Sequence, residues 1–413
     1  MSLRRRAALG AAALLLLAGC GTTTDQSASR SNPSTTPTPT TTPTTTPSIT
    51  PSGTSAGPSS ASTVPVVRHL PLRPGERRID VRMPSTYTPS PPTGVGTDDY
   101  RCFLLDPKTT SDQMITGFDV RPGNPHVVHH VILFRVPPEQ VKEAEAKDAA
   151  TPGQGWTCFG DSGLGRGEGQ ELDDAQWLGA WAPGGTEQIY AKGYGEPFPA
   201  GSRMVMQVHY NLLAGREPDR SAAELRLMPA SPRITPLITQ LFPAPVELPC
   251  RPEHANGPLC SRAASVADVK ARFGDGPGST ADLLHFLCGP INPGPVQSCT
   301  RPVSQAETIR GVAGHMHLLG RSIRVDVNPG KPDAKTILDI PIWDFDNQGS
   351  KPITPVHLKP GDTVRVTCRH TQALRDQLPA FHGIPDKYVV WGEGTTDEMC
   401  LGMLQVAFDD ETP

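Results

Sequence analysis

The sequence predicts an all-β protein with two antiparallel β-sandwich (jelly-roll) domains that follow a disordered N-terminal tether. Glycine and proline recur every few residues, with 40 and 46 copies in 413 residues. The apolar stretches between them are short and often alternate with polar residues, which is typical of strands joined by frequent turns. The composition of the first 65 residues differs sharply from that of the remainder.

Alternating apolar patterns mark the clearest predicted strands, and helical patterns are few. Strands are expected at residues 127–136, 204–212, 323–327, 364–367 and 401–408. Helices are expected at residues 139–149, 265–273 and 280–286.

The N-terminus has the features of an export signal. Three arginines at residues 4–6 precede an apolar run over residues 7–18, which is too short to span a bilayer. The run ends in Leu17-Ala18-Gly19-Cys20, a pattern that resembles the lipobox of bacterial lipoproteins. The sequence therefore predicts a signal peptide at 1–20, a lipid on Cys20, and an extracytoplasmic protein anchored to the cell membrane. A plain secretory peptide is the alternative.

The remaining chain divides by composition into a tether and a folded part. Residues 21–65 are almost only Ser, Thr, Pro and Gly, and they lack the apolar side chains needed to form a core. Residues 66–413 exceed what one core usually supports. We expect domains at 66–230 and 231–413, the second with a Cys-rich insertion at about 250–299. The net charge of −4 and the lack of strong basic runs argue against a nucleic-acid partner.

The cysteine count predicts disulfides. Nine cysteines are present, and if Cys20 carries lipid, an even number remains, as expected for disulfides in an exported chain. These eight are Cys102, Cys158, Cys250, Cys260, Cys288, Cys299, Cys368 and Cys400. Thiolate metal ligation is the alternative, but no Cys-x-x-Cys pair occurs.

The clearest candidate metal ligands are His315 and His317. Side chains two residues apart on a strand point to the same face, about 7 Å apart, so two imidazoles placed in this way can share one metal. Met316 would then point into the core. A non-ligand role for the pair is the alternative.

A second pair, His129 and His130, interrupts an apolar predicted strand. Burying two imidazoles requires partners. Neighbours on a regular strand face opposite sides, so joint ligation requires a bulge or a strong twist. Otherwise one histidine is in the core and the other on the surface. His209 shares a strand face with Gln207, and a single histidine of this kind is weak evidence for a site.

Met399 follows two acidic residues and precedes Cys400. Methionine usually fills space in a core. As a ligand, its soft thioether favours Cu(I) over zinc, calcium or magnesium.

Taken together, these segments resemble the copper type II, ascorbate-dependent monooxygenases, the family of peptidylglycine alpha-hydroxylating monooxygenase and dopamine beta-monooxygenase. The resemblance covers most of residues 95–230 and 306–410. Six elements occur in the family's order: Asp99-Tyr100-Arg101-Cys102, the His-His strand, a tryptophan and cysteine, the Gln-Val-His-Tyr strand, the His-x-His strand, and Asp-Glu-Met-Cys.

The resemblance implies two coppers per chain, with ascorbate or another reductant as electron donor. O2 and a small organic substrate would react, and a C–H bond would be hydroxylated. The implied ligands of the electron-donating copper are His129, His130 and His209. The implied ligands of the copper where oxygen and substrate meet, and hence the expected catalytic residues, are His315, His317 and Met399.

The resemblance also implies two disulfides, Cys102 to Cys158 and Cys368 to Cys400. Cys299 matches a family cysteine whose usual partner is missing here. The partner of Cys299 is left open among Cys250, Cys260 and Cys288.

Some residues depart from the family or point elsewhere. Peptide-hydroxylating relatives use an arginine at the position of Ala313 to hold the substrate's carboxylate, which disfavours a peptidylglycine substrate. Leu401 and Met403 replace polar substrate contacts and suggest a more apolar substrate.

Residues 160–163 copy a serine-protease segment, but Leu164 replaces the next expected glycine and no partner-histidine segment precedes it. A lipoprotein that stores, senses or delivers copper is the alternative function, because it would use the same ligands.

Overall fold

The computed structural model describes residues 69–91, 97–165 and 176–408. The predicted signal peptide, Cys20 and the tether lie outside these residues. No helix within the described ranges is long and apolar enough to cross a membrane.

The described chain is mostly β, as predicted. Its strands up to residue 236 are β1 Arg77–Arg82, β2 Asp98–Leu105, β3 Gln113–Arg121, β4 Val128–Val136, β5 Trp156–Thr157, β6 Trp177–Trp181, β7 Gln188–Ile189, β8 Tyr194–Phe198, β9 Arg203–Asn211, β10 Ala222–Pro229 and β11 Thr235–Pro236. The later strands are β12 Ile238–Pro243, β13 Glu247–Leu248, β14 Val296–Pro302, β15 Glu307–His315, β16 Gly320–Val327, β17 Lys335–Ile340, β18 Lys351–Leu358, β19 Thr363–His370, β20 Val389–Val390 and β21 Leu401–Phe408.

These strands form several sheets whose pairs are antiparallel apart from the short β8–β11 pair. The earlier strands give a six-stranded sheet, β1-β10-β3-β8-β11 with β7 beside β3, and a five-stranded sheet, β5-β2-β9-β4-β6. The later strands give two four-stranded sheets, β12-β21-β15-β18 and β14-β19-β16-β17, and the β13-β20 pair. The predicted all-β, mainly antiparallel class is confirmed. The division at residue 230 stays a prediction.

Strands β4 and β9 are buried on both faces, which explains why their sequences are almost continuously apolar. Leu133 and Met206 point into the core shared with β1, β3 and β10. Phe134 and Val205 point the other way, into a smaller core around Trp177. Strand β19, in contrast, alternates between buried and half-buried residues. A separate large core lies among the later strands.

Three α-helices lie close to their predicted positions. They are α1 Val141–Ala150, α2 Arg262–Phe273 and α3 Asp275–Cys288. Helix α2 starts three residues earlier than predicted because the Ser261 side chain accepts a hydrogen bond from the Ala264 amide and caps it. Helix α3 starts five residues earlier than predicted, directly after Gly274.

Four disulfides join all eight cysteines considered above. Cys102 is bonded to Cys158 and Cys368 to Cys400, the two pairs that the family resemblance implies. The remaining pairs are Cys250–Cys260 and Cys288–Cys299, so Cys288 is the partner of Cys299. Four disulfides are typical of extracytoplasmic proteins.

Candidate metal centre

The His129–His130 pair lies on a β-bulge. Along the β4–β9 ladder, Val128 pairs with Tyr210 and His130 pairs with His209, and the register shifts between them. His129 is therefore the extra residue of the bulge, which turns its ring towards the same side as that of His130. The distortion required by joint ligation is present.

Three ring nitrogens converge at this bulge. The Nδ1 atoms of His129 and His130 are 3.2 Å apart, and the Nδ1 atoms of His130 and His209 are 3.3 Å apart. One candidate ligand atom from each of the three residues lies within 4.8 Å of the others, so the cluster could hold a metal ion. Three imidazole nitrogens are a common donor set for copper and zinc.

Asp98 fixes the orientation of His209. Its Oδ1 atom lies 2.9 Å from His209 Nε2 and also accepts hydrogen bonds from the amide and hydroxyl of Thr395. Burial raises the pKa of Asp98, but its bonds with His209 and Thr395 outweigh burial and hold that pKa below its usual value. An ionised Asp98 accepts a hydrogen bond from the Nε2–H group of His209, which leaves the Nδ1 lone pair of His209 directed at the cluster. Tyr100 stacks on the same ring with 4.0 Å between centroids.

His315 and His317 lie beside this cluster. His315 ends strand β15 and His317 follows in the next loop, so the pair lies at a strand end rather than within a strand. Their ring centroids are 5.1 Å apart. Met316 is fully buried in the core, as predicted. The His130 and His315 rings are 5.8 Å apart, so the two sets of histidines are direct neighbours.

The second pair is also oriented by buried polar contacts. Gln348 Oε1 lies 2.6 Å from His315 Nδ1, so His315 donates from Nδ1 and its Nε2 atom carries the lone pair. His317 Nδ1 is buried and has no hydrogen-bond partner among the described residues. A buried, unpaired imidazole nitrogen is costly unless a ligand binds it.

Glu398 joins Met399 to this pair of histidines. One carboxylate oxygen, Oε2, accepts hydrogen bonds from the backbone amides of both His317 and Met399, at 3.0 and 3.3 Å. The other oxygen, Oε1, accepts from the Leu319 amide at 2.5 Å. His370 Nε2 lies 3.3 Å from Oε2. Glu398 therefore ties the Met399 segment to the loop that carries His317.

Four histidines of this centre are neutral at neutral pH: His129, His130, His315 and His317. Burial, together with repulsion from neighbouring imidazoles, lowers the pKa of His129 and of His130 well below the usual value. Burial lowers the pKa of His315 to about 3 and also lowers the pKa of His317. Each neutral imidazole retains one lone pair, the form in which histidine binds metals.

A cavity of about 660 Å³ lies against both histidine sets. His130, His315, His317 and Met399 all line it. Leu401 and Met403 also line it. Ala313 is buried and is not among the described lining residues.

Four residues of this centre were not predicted from the sequence as parts of it: Asp98, Phe345, Gln348 and Glu398. Phe345 stacks on His129 with 4.1 Å between centroids and also lies 6.4 Å from His317. Phe345 and Gln348 belong to the β17–β18 connection, which carries no histidine or cysteine. Asp98 adjoins the Asp99-Tyr100-Arg101-Cys102 element and Glu398 belongs to the Asp-Glu-Met-Cys element, and these positions were the one available signal.

No protein-family model matches the chain, and no curated protein matches it. Among solved structures, the major capsid protein P2 from bacteriophage PM2 is similar at 7% identity, covering 81% of this chain and 99% of that chain with a TM-score of 0.26. A Paenibacillus xanthan lyase is similar at 10% identity, covering 75% of this chain and 23% of that chain with a TM-score of 0.17. A Bacillus subtilis oxalate decarboxylase is similar at 10% identity, covering 84% and 76% of the two chains with a TM-score of 0.15. At TM-scores this low, none of these likenesses carries an argument about function.

Proposed function

We propose that this protein is a copper-dependent monooxygenase of the copper type II, ascorbate-dependent kind, which hydroxylates a C–H bond of a small organic substrate. One observation carries the proposal. The three-histidine cluster reaches one cavity through His130, the His315–His317 pair lines the same cavity beside it, and Met399 lines it too. The residues in these sets are those that the family resemblance names as copper ligands.

The donor sets fit copper. His129, His130 and His209 would hold one ion through three imidazoles, whose Nδ1 atoms already converge. His315, His317 and Met399 would hold the other, and the soft thioether favours Cu(I). When bound, copper supplies one-electron redox chemistry and the capture of O2.

The protein's own groups orient these donors and surround the reacting space. Asp98 selects the tautomer of His209, and Gln348 selects that of His315. Glu398 fixes the Met399 segment. The cavity walls next to the ligands are mostly apolar, which limits water beside the reacting groups.

We further propose that residues 66–230 and 231–413 are two jelly-roll domains with one copper each. The first ligand set comes from β4 and β9, and the second from the end of β15, the loop that follows it and the segment before β21. We also propose that a lipid on Cys20 and the tether at residues 21–65 attach the protein to the outer face of the cell membrane. The four disulfides support an extracytoplasmic location.

Metal analysis tests this proposal directly. Purified protein loaded with copper and freed of excess metal is expected to carry about two coppers per chain, as two complete donor sets require. The His209→Ala and His315→Ala variants are each expected to retain about one. Mass spectrometry of the metals gives the count. Zinc alone, or a single copper in the unsubstituted protein, would contradict the proposal.

Asp98 gives a prediction specific to the first set. The Asp98→Asn variant keeps the shape of the side chain but removes the charge that supports His209. We expect its copper affinity at this set to fall by about 10 to 100-fold. Competition with a chelator measures this copper affinity. All proteins compared also carry His315→Ala, so that only the first set binds copper.

Asp106→Asn is the matched control for this substitution. Its side chain is 40% exposed and is paired with Arg203. If both aspartate variants bind copper at the first set as tightly as the protein with unsubstituted aspartates does, Asp98 does not support His209.

A further inference from the structure

Helix α3 presents one apolar stripe to the cavity. Gly276, Thr280, Leu283 and Leu287 line it, at spacings of three or four residues that place them on one face of the helix. Leu284, beside this stripe, also lines the cavity and is buried. The Cys-rich insertion thus supplies a wall of the same cavity that the histidines line.

The insertion is held in place on several sides. The Cys288–Cys299 disulfide ties the end of α3 to β14. Arg262 on α2 bonds to Asp282 on α3 at 2.8 Å, and His285 Nε2 lies 2.7 Å from the buried Glu247. These cross-links fix the position of the stripe relative to the cavity.

Other parts of the cavity lining are apolar as well. Strand β6 contributes Trp177 and Trp181, and β21 contributes Leu401 and Met403. Leu241 on β12 adds to the same lining. Large apolar side chains from several elements therefore surround a space of about 660 Å³, within the range of small-molecule pockets.

Three charged residues of the described chain line the cavity: Asp161, Arg301 and Glu393. Asp161 is exposed. Arg301 lines the cavity, but its guanidinium lies over the Phe242 ring, 4.8 Å from the centroid. Glu393 is buried in the wall and has no ion-pair partner in the described ranges. Burial raises the pKa of Glu393 to about 8, so its side chain is a neutral acid at pH 7.

We propose that the substrate of this cavity is an uncharged, predominantly apolar molecule, and that the α3 stripe is the part of the protein that recognises it. The inference rests on the proposed function, because it identifies the bound molecule as the substrate. The α3 wall belongs to the insertion, outside the segments that resemble the family.

Three probes of equal size and different charge test the inference by isothermal titration calorimetry on the whole chain. Phenylbutanol is uncharged, phenylbutanoate is an anion and phenylbutylamine is a cation at neutral pH. We expect one phenylbutanol per chain, bound at least about tenfold more tightly than either ion, a difference of about 1.4 kcal/mol. Equal or tighter binding of an ion, or no binding of phenylbutanol, would overturn the inference.

Adjacent residues on α3 provide a matched pair of variants. Leu287 lines the cavity and is 37% exposed, whereas Phe286 is 86% exposed and is not among the lining residues. Leu287→Asp is expected to weaken phenylbutanol binding at least about tenfold, and Phe286→Asp to leave it unchanged. Equal effects in the two variants would contradict recognition by the stripe. Leu283→Asn, a milder change at a 42% exposed lining position, replaces Leu287→Asp if circular dichroism shows that variant to be misfolded.

Titrations with and without copper separate this inference from the proposed function. If phenylbutanol binds but the chain does not hold two coppers, the cavity is an apolar binding site and the proposed copper monooxygenase function is wrong. If the chain holds two coppers but does not bind phenylbutanol, only the proposed substrate class is wrong.

Discussion

Replacing Met399 with alanine is expected to abolish ascorbate-dependent oxygen consumption while leaving about one copper per chain on the three-histidine set. Met399 lines the cavity, and its amide shares a carboxylate oxygen with the amide of His317. Its thioether is the one soft donor in the proposed second set, so its loss removes the preference for Cu(I). An oxygen electrode and metal analysis measure the two effects in the same sample.

Met228→Ala is the matched control. Met228 is a half-buried residue of β10, away from the cavity lining, and its loss should change neither copper content nor oxygen consumption. Unchanged oxygen consumption in the Met399→Ala variant would remove this residue from the mechanism. A protein that only stores or delivers copper would bind the metal and show no ascorbate-dependent turnover in any variant.

Labelled dioxygen separates hydroxylation from wasteful reduction of oxygen. With copper, ascorbate and phenylbutanol present, we expect one labelled oxygen atom in an organic product, in an amount that matches the oxygen consumed. Label found only in peroxide and water would contradict a monooxygenase acting on this class of substrate.

Local sequence patterns were sufficient to predict five of the strands and to locate the histidines. Strands β4, β9 and β21 begin and end within a residue of their predicted bounds, since turn residues limit their apolar runs. The need for a distortion at His129 was also predictable, because two adjacent strand residues cannot share one face without it. The bulge between Val128 and His130 is that distortion.

The supporting contacts could not be predicted, because they join segments far apart in the chain. Asp98 reaches Thr395 across 297 positions, and Gln348 reaches His315 across 33. Phe345 stacks on His129 from a connection without a distinctive pattern. Periodicity reports which face of an element is buried, but it does not report which distant segment covers that face.

The contribution of the inserted helix was hidden for the same reason. Its cysteines predicted a stapled segment, and the pairing of Cys288 with Cys299 was one of three alternatives left open. Leu283 and Leu287 follow helical spacing, which is equally compatible with an ordinary buried face. Only the tertiary arrangement places them on the cavity that the histidines line.

Replacing Glu398 with alanine is expected to lower the free energy of unfolding by at least about 3 kcal/mol, because each buried donor left without an acceptor costs about 1 to 3 kcal/mol. Glu398 is fully buried and accepts hydrogen bonds from the amides of His317, Leu319 and Met399, and His370 Nε2 lies against it. Alanine would leave these donors buried without an acceptor. Because the same carboxylate positions His317 and Met399, the variant should also lose the second copper and keep the first. Urea unfolding followed by circular dichroism, with metal analysis, measures both effects.

Two further variants distinguish the specific role of the Glu398 carboxylate in the site from the general effect of removing a glutamate. Glu398→Gln keeps one acceptor oxygen of similar shape, so its loss of stability should be smaller and part of the second copper should remain. Glu253→Ala removes a carboxylate that is 61% exposed, and it should change neither quantity. If Glu398→Ala were destabilised but kept both coppers, the carboxylate would stabilise the fold without positioning the metal ligands. If instead the second copper were lost at unchanged stability, the buried hydrogen bonds of Glu398 would contribute to the geometry of the site and not to folding.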